Sequence, residues 1–176
     1  DITALKSGTQ ILNVSIINMK AMLEDIIHEL RLDIKNLNLK INYKKEKEYW
    51  PEMKIDQSKM REVLLIILEN AVKYNHKNGS IDIENKISEN RFEMIIKNTG
   101  VGITKEENQN LFNRLFYRGK NALKIHPIGM GIGLSVARAV AKAHHGDIKI
   151  ESEGENMGAK VTLSIPKDFL KDFSQV

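Results

Sequence analysis

The chain has 176 residues, 41% hydrophobic and 28% charged, enough for one ordinary core and too few for two. Without a cysteine it can hold neither a disulfide nor a thiolate metal site, which suits a reducing cytoplasm. The net charge of +4 is dispersed, aromatics are only 6%, and "YKKEKEYW" (43–50) alternates in sign, so no nucleic-acid surface is expected.

The chain starts at Asp1 without an initiator Met and is expected to be an excised piece of a longer protein. No apolar run nears the ~20 residues that span a bilayer, so a cytoplasmic domain with no membrane contact of its own is expected. Residues 1–9 read as the fraying end of a preceding helix or linker, 10–170 as one globular domain, and 171–176 as a tail.

"ILNVSII" (11–17) reads as a first strand. From Asn18 to Lys35, Met22, Leu23, Ile26, Ile27, Leu30 and Ile34 recur at three- and four-residue spacing, one apolar stripe of a single helix. "LNLKINY" (37–43) alternates as a strand, and "EMKID" (52–56) gives a short one. Asp56 or Ser58 can then cap a helix running to about Tyr74. "SIDIENKI" (80–87) and "RFEMIIKN" (91–98) form a hairpin across "SEN". A brief helix near 105–113 precedes an irregular segment to about Ile128, and "GMGIGLSVARAVAKAHHG" passes from a glycine turn into a helix ended by Gly146. Strands "DIKIES" and "AKVTLSIP" close the domain. This order favours an α/β domain, a mixed sheet with helices on one face.

In "SKMREVLLIILENAVKYN", Val63, Leu64, Ile67, Leu68 and Ala71 form the stripe that packs on the sheet. Asn70, Lys73 and Tyr74 share another face, with Ile66 one turn earlier. That face offers an oxygen ligand for a hard cation, a positive charge and an aromatic platform, which a Mg-nucleotide needs. It equally describes a helix whose polar side meets water. Gly129, Gly131 and Gly133 let backbone N–H groups approach an anion at the start of the helix near Leu134. The Walker and Rossmann spacings are absent.

Taken in order, "LLIILENAVKYN", "NTGVGI", "LFNRLFYRG" and "GMGIGLS" resemble the N, G1, F and G2 boxes of the catalytic ATP-binding domain of sensor histidine kinases, within the GHKL ATPase superfamily. The resemblance covers nearly the whole chain. It implies a two-layer α/β sandwich of the Bergerat type, a mixed sheet under three main helices, with ATP between the helices and a lid. It further implies that Asn70 coordinates Mg2+, Lys73 meets phosphates and Tyr74 flanks adenine. Gly100 and Gly102 of the G1 box would shape the adenine pocket, and Gly129, Gly131 and Gly133 the phosphate-facing end of the lid, with Ile103 and Leu134 also among the ATP-binding residues. Phe112, Phe116 and Arg118 would lie in the lid, the arginine near phosphate. The γ-phosphate would pass to a histidine on a dimerisation domain outside this chain, and thence to a response regulator; the isolated domain is expected to be monomeric.

Two positions depart from that pattern. Asn98 stands where the G1 box normally has an Asp accepting from the adenine amino group. An amide keeps an acceptor, adds a donor and loses a charge-assisted bond, so weaker ATP binding and relaxed rejection of guanine are expected. Ile66 stands where these kinases often carry a second Asn on Mg2+, and where the ATP-hydrolysing relatives carry the water-activating Glu. An ATPase working on DNA or client proteins is therefore disfavoured, while a pseudokinase or interaction module with little phosphotransfer remains the alternative. Glu69 lies about 100° round the helix from Asn70 and reads as a surface residue. "HELR" at 28–31 is no phosphoacceptor box: His28 lies 42 residues before Asn70, too close for a second long helix plus strands. His144 and His145 are adjacent and do not share a helix face, so a metal pair is not expected, and His126 has no evident partner.

Overall fold

Alternation of apolar and polar residues builds the centre of the molecule. The computed structural model describes residues 12–44, 49–110 and 133–166. Strands β4 (Ser80–Ile87) and β5 (Arg91–Asn98) pair antiparallel, with Ile83 opposite Ile96 and Asn85 opposite Met94 on the covered face. The other face carries Asp82, Glu84, Glu93 and Lys97 in the same register. β7 (Ala159–Pro166) lies antiparallel beside β5, β6 (Asp147–Glu151) beside β7, and β2 (Lys40–Tyr43) runs parallel to β4 at the opposite edge. The resulting five-stranded mixed sheet has the order β2-β4-β5-β7-β6.

Helices α1 (Met19–Glu29), α3 (Gln57–Lys73) and α5 (Gly133–Ala143) share one core with the covered face of that sheet, with α2 (Arg31–Asn36) after α1 and α4 (Lys105–Asn110) after the β5 turn. The stripe on α3 behaves as its spacing requires: Val63, Leu64, Ile67, Leu68 and Ala71 are all buried. Asp56 starts this helix by accepting the Lys59 amide at 3.0 Å. Every element of the two-layer α/β reading among the described residues is present.

Several boundaries differ from expectation. β1 (Val14–Asn18) pairs antiparallel with β3 (Glu52–Asp56) in a separate two-stranded sheet, so the strands do not all join one sheet. The expected single helix from Asn18 is interrupted at Leu30; the Arg31 guanidinium takes the His28 carbonyl at 3.0 Å, the acceptor a continuous helix would offer to Leu32. β2 starts only at Lys40, because Asn38 takes φ 51° and turns the chain. The last helix ends at Ala143, and its left-handed residue is His145 at φ 55°, not Gly146. Gly146 is required for a different reason: a Cβ there would lie 2.3 Å from the Ser164 carbonyl oxygen.

Candidate functional site

The C-terminal half of α3 and the turn after β5 enclose a cavity of about 110 Å³. α3 lines it with Ile67, Asn70, Ala71 and Tyr74, the sheet with Asn98, Ile150, Ala159 and Val161, the turn with Val101, Gly102 and Ile103, and α4 and α5 with Glu107 and Leu134. The walls are mainly apolar with a few polar groups, the usual composition of a small-molecule site. An apolar cavity of ~150 Å³ holds benzene, so this one, open on one side, is on the scale of a planar ring.

The turn at 98–103 is fixed by close backbone packing. Gly102 has φ 66°, and a Cβ on it would lie 1.9 Å from the Gly154 carbonyl oxygen. The turn is then tied on both sides. Val101 N–H donates to the Tyr74 carbonyl at 3.2 Å at the end of α3, while Asn156 N–H donates to the Val101 carbonyl at 2.7 Å from the β6–β7 connection. Ser152 Oγ accepts the Ile103 amide at 3.0 Å and donates to the Gly158 carbonyl at 2.6 Å.

Asn98 is 8% exposed, and its Nδ2 donates to the Thr99 carbonyl at 2.6 Å. Rotating the amide would set oxygen against oxygen at that distance. Oδ1 is therefore the end left for a ligand, and it takes no hydrogen bond among the described residues. Glu107 is buried through a reciprocal cap with Thr104: its Oε2 accepts the Thr104 amide at 3.0 Å, and Thr104 Oγ1 accepts the Glu107 amide at 3.1 Å.

Of the residues singled out from sequence, Asn70, Tyr74, Asn98, Gly102, Ile103 and Leu134 come together on the cavity wall. Lys73 is off the wall, its Nζ 5.8 Å from the Tyr74 ring centroid. Gly100 backs the turn instead of lining the cavity, where a Cβ would meet the Tyr74 carbonyl at 2.2 Å. Gly133 packs beside Ile66, which is half-buried against the core and offers no ligand. Arg118, Gly129, Gly131, Phe112, Phe116 and His126 lie outside the described residues. Glu69 and His28 are exposed, as their positions imply.

Sequence reasoning missed Glu107, although "TKEE" at 104–107 carries a capping-box signal, and it missed Gly158, whose φ of 68° brings its backbone against Asn98. It also left His144 without a role. That ring is fully buried: Nε2 accepts the Asp56 amide at 3.1 Å, and Nδ1 lies 2.9 Å from the Val140 carbonyl, so the neutral imidazole carries its proton on Nδ1. His145 is exposed, so the two histidines do not form a pair. Burial pushes the His144 pKa down, against the pull of the Val140 carbonyl and Asp56. Asp56 loses solvation too, yet the Lys59 and Asn13 amides hold its carboxyl below the usual range.

Among the described residues no group of three or more His, Asp or Glu could hold a metal. The donor set fits only a hard cation that keeps its waters and takes one protein oxygen, and the Asn70 amide, on the wall with no side-chain hydrogen bond to another described residue, meets that requirement. No described helix is long and apolar enough to cross a membrane.

Comparison with known proteins gives the family and the fold. Sensor histidine kinase YvrG of Bacillus subtilis is 34% identical over 121 residues, 69% of this chain and 20% of that protein, so the chain spans about a fifth of such relatives. The catalytic domain of histidine kinase ThkA superposes with a TM-score of 0.74 at 23% identity, covering 89% of this chain and 99% of that one. Full-length ShkA in complex with AMPPNP superposes with a TM-score of 0.77 at 18% identity, covering 93% of this chain and 33% of that one. Residues 55–168 match the family described as histidine kinase-, DNA gyrase B- and HSP90-like ATPase, and with well over half of its length inside that match the chain belongs to this family as a histidine kinase ATP-binding domain.

Proposed function

We propose that this domain holds Mg·ATP and presents the γ-phosphate to a histidine on a dimerisation domain outside this chain, as part of a two-component sensor kinase that passes the phosphoryl group to a response regulator. The observation that carries the reading is the meeting of Asn70, Tyr74 and Asn98 from separate elements on one cavity wall. In this reading the base enters the cavity beside Tyr74, and Asn98 Oδ1 accepts its exocyclic amino group. Lys73, near the Tyr74 ring, meets phosphate outside the cavity. The start of α5 at Gly133 turns its positive end toward the anion. Mg2+, held by Asn70 and the phosphates, would neutralise charge on the β- and γ-oxygens.

The chain's own contribution is positioning and electrostatics. The attacking imidazole nitrogen comes from the partner domain; its bond to Pγ forms as the bond to the bridging oxygen breaks and ADP leaves. The resemblance of ShkA, whose structure is a complex with AMPPNP, supports a nucleotide here. Calorimetric titration with Mg·ATP tests binding, and transfer of labelled phosphate to a supplied dimerisation domain tests the reaction. Absence of any nucleotide binding refutes the reading. Binding without transfer selects the alternative, a nucleotide-reporting interaction module, which the oxygen-free Ile66 position favours.

A further inference from the structure

We propose that Asn75 and Thr99 form a positioning pair that fixes which end of the Asn98 amide meets the base, and so makes the site prefer a purine with an amino group at C6 over one with a keto oxygen at C6. The proposal rests on the reading of the cavity as a nucleotide site.

An amide alone carries little preference between adenine and guanine, because its oxygen accepts from an amino group and its nitrogen donates to a keto oxygen. Free rotation would let Asn98 serve either. The Thr99 carbonyl removes that freedom, holding Asn98 Nδ2 at 2.6 Å and leaving Oδ1 for the ligand. Discrimination therefore depends on where the Thr99 carbonyl sits.

Thr99 is held in place by short hydrogen bonds to Ser80 and Asn75, with a longer hydroxyl contact to the Ser80 carbonyl at 3.4 Å. Its amide donates to the Ser80 carbonyl at 3.1 Å, its Oγ1 accepts the Ser80 amide at 2.8 Å, and the same hydroxyl donates to Asn75 Oδ1 at 2.7 Å. Asn75 is itself saturated. Its Nδ2 donates to the Ala71 and Ser80 carbonyls at 3.1 and 3.0 Å, and its Oδ1 also accepts the His76 amide at 2.9 Å. It is 6% exposed and sits directly after Tyr74, so it couples the helix carrying Asn70 and Tyr74 to the turn carrying Asn98. Space confirms the tightness: a Cβ on Gly79 would lie 2.3 Å from both Asn75 Oδ1 and Thr99 Oγ1. Neither Asn75 nor Thr99 lines the cavity, so neither touches the ligand directly and each acts through the residues it positions.

The test is calorimetric titration of the whole chain with Mg·ATP and Mg·GTP, for the parent and for Thr99→Val, Thr99→Ser and Asn75→Ala. The parent is expected to favour ATP at least tenfold. Thr99→Val removes the hydroxyl at the exposed turn and is expected to cut the ATP-to-GTP ratio at least threefold, mostly by improved GTP binding. Thr99→Ser keeps the hydroxyl and should keep the ratio, and Asn75→Ala should lower it as Thr99→Val does. A destabilised variant that bonds neither member of the pair and lines no part of the cavity, His144→Leu, should leave the ratio unchanged. An unaltered ratio in Thr99→Val, or equal weakening of both nucleotides, overturns the pair's role while the nucleotide site stands. A parent that binds ATP and GTP equally does the same. A parent that binds neither overturns the nucleotide reading, and this proposal with it.

Discussion

Replacing His144 by Leu removes the acceptor of the Asp56 amide and nothing from the cavity wall. Asp56 starts α3, so the perturbation reaches the helix that carries Asn70 and Tyr74 through its first residue. The Asp56 N–H is left buried without its 3.1 Å partner, while the Val140 carbonyl keeps the backbone amide of residue 144 at 3.2 Å. One orphaned buried donor costs about 1–3 kcal/mol. At about 2–4 °C per kcal/mol for a chain of this size, the melting temperature should fall by about 2–12 °C.

The same residue sets a pH signature. Burial lowers the folded-state pKa of His144 below its ordinary value of 6.5, helped by nearby Lys59 and His145 and opposed by the Val140 carbonyl and Asp56. Above about pH 6.5 the ring is neutral folded and unfolded, and its full contribution is present. As pH falls below that value the unfolded chain takes up a proton that the folded chain does not. Stability therefore declines until pH passes the folded pKa, where the decline from this group stops. Urea unfolding followed by circular dichroism between about pH 7 and pH 5 reads both effects. The parent should lose stability across this window, and His144→Leu should lose less, because the depressed group is gone. Equal slopes for the two proteins would refute the buried neutral histidine.

Gly102→Ala should weaken nucleotide binding at least tenfold in a calorimetric titration, because its Cβ would lie 1.9 Å from the Gly154 carbonyl oxygen at φ 66°; parent-like binding would show that the turn yields. Asn98→Asp restores the family's acid, but it sets a carboxylate oxygen 2.6 Å from the Thr99 carbonyl where Nδ2 now donates. The lost bond of about 1 kcal/mol and the new repulsion offset a charge-assisted gain of similar size, so, against the expectation from the motif alone that an amide at 98 weakens binding, ATP should bind no more tightly than to the parent; tenfold tightening would refute the held amide. The Arg138 and Lys142 side chains hold the Asp147 carboxyl down to about 2, so its stabilisation is present above the ordinary value of 3.8 and is lost as pH falls toward 2. Asp147 is 39% exposed, and solvent screening reduces the pair to a fraction of the shift: Asp147→Asn should cost under about 1 kcal/mol near neutral pH, with no change in nucleotide affinity.

What was legible in the sequence was local and periodic. β4 and β5 fall at 80–87 and 91–98 as expected, because apolar residues alternate with charged ones and a turn separates them. The α3 stripe and the cap at Asp56 were equally readable. The missed features share a different cause. Asn75 meets Thr99 across 24 residues, Ile103 meets Ser152 across 49, and Asp56 meets His144 across 88, and no periodicity encodes such pairings. The separate β1–β3 sheet follows the same rule, since a short strand carries its faces in its sequence but not the identity of its neighbour.

The glycines sharpen that distinction. Sequence reading assigned Gly100 and Gly102 together to the base pocket, yet only Gly102 lines it, and Gly100 allows the turn to lie against the Tyr74 carbonyl. Gly158, absent from the motif, is needed as strictly, since a Cβ there would meet the Asn98 carbonyl oxygen at 2.0 Å. Three glycines from two distant segments therefore bring one backbone against another around Asn98. The motif marks chemistry because the fold demands close approach at this point, and the two amides, Asn70 and Asn98, supply the polar groups that close approach positions. A change that keeps both amides but separates these backbones should then remove binding as surely as removing an amide, which is why Gly102→Ala tests the site as directly as any substitution of its polar residues.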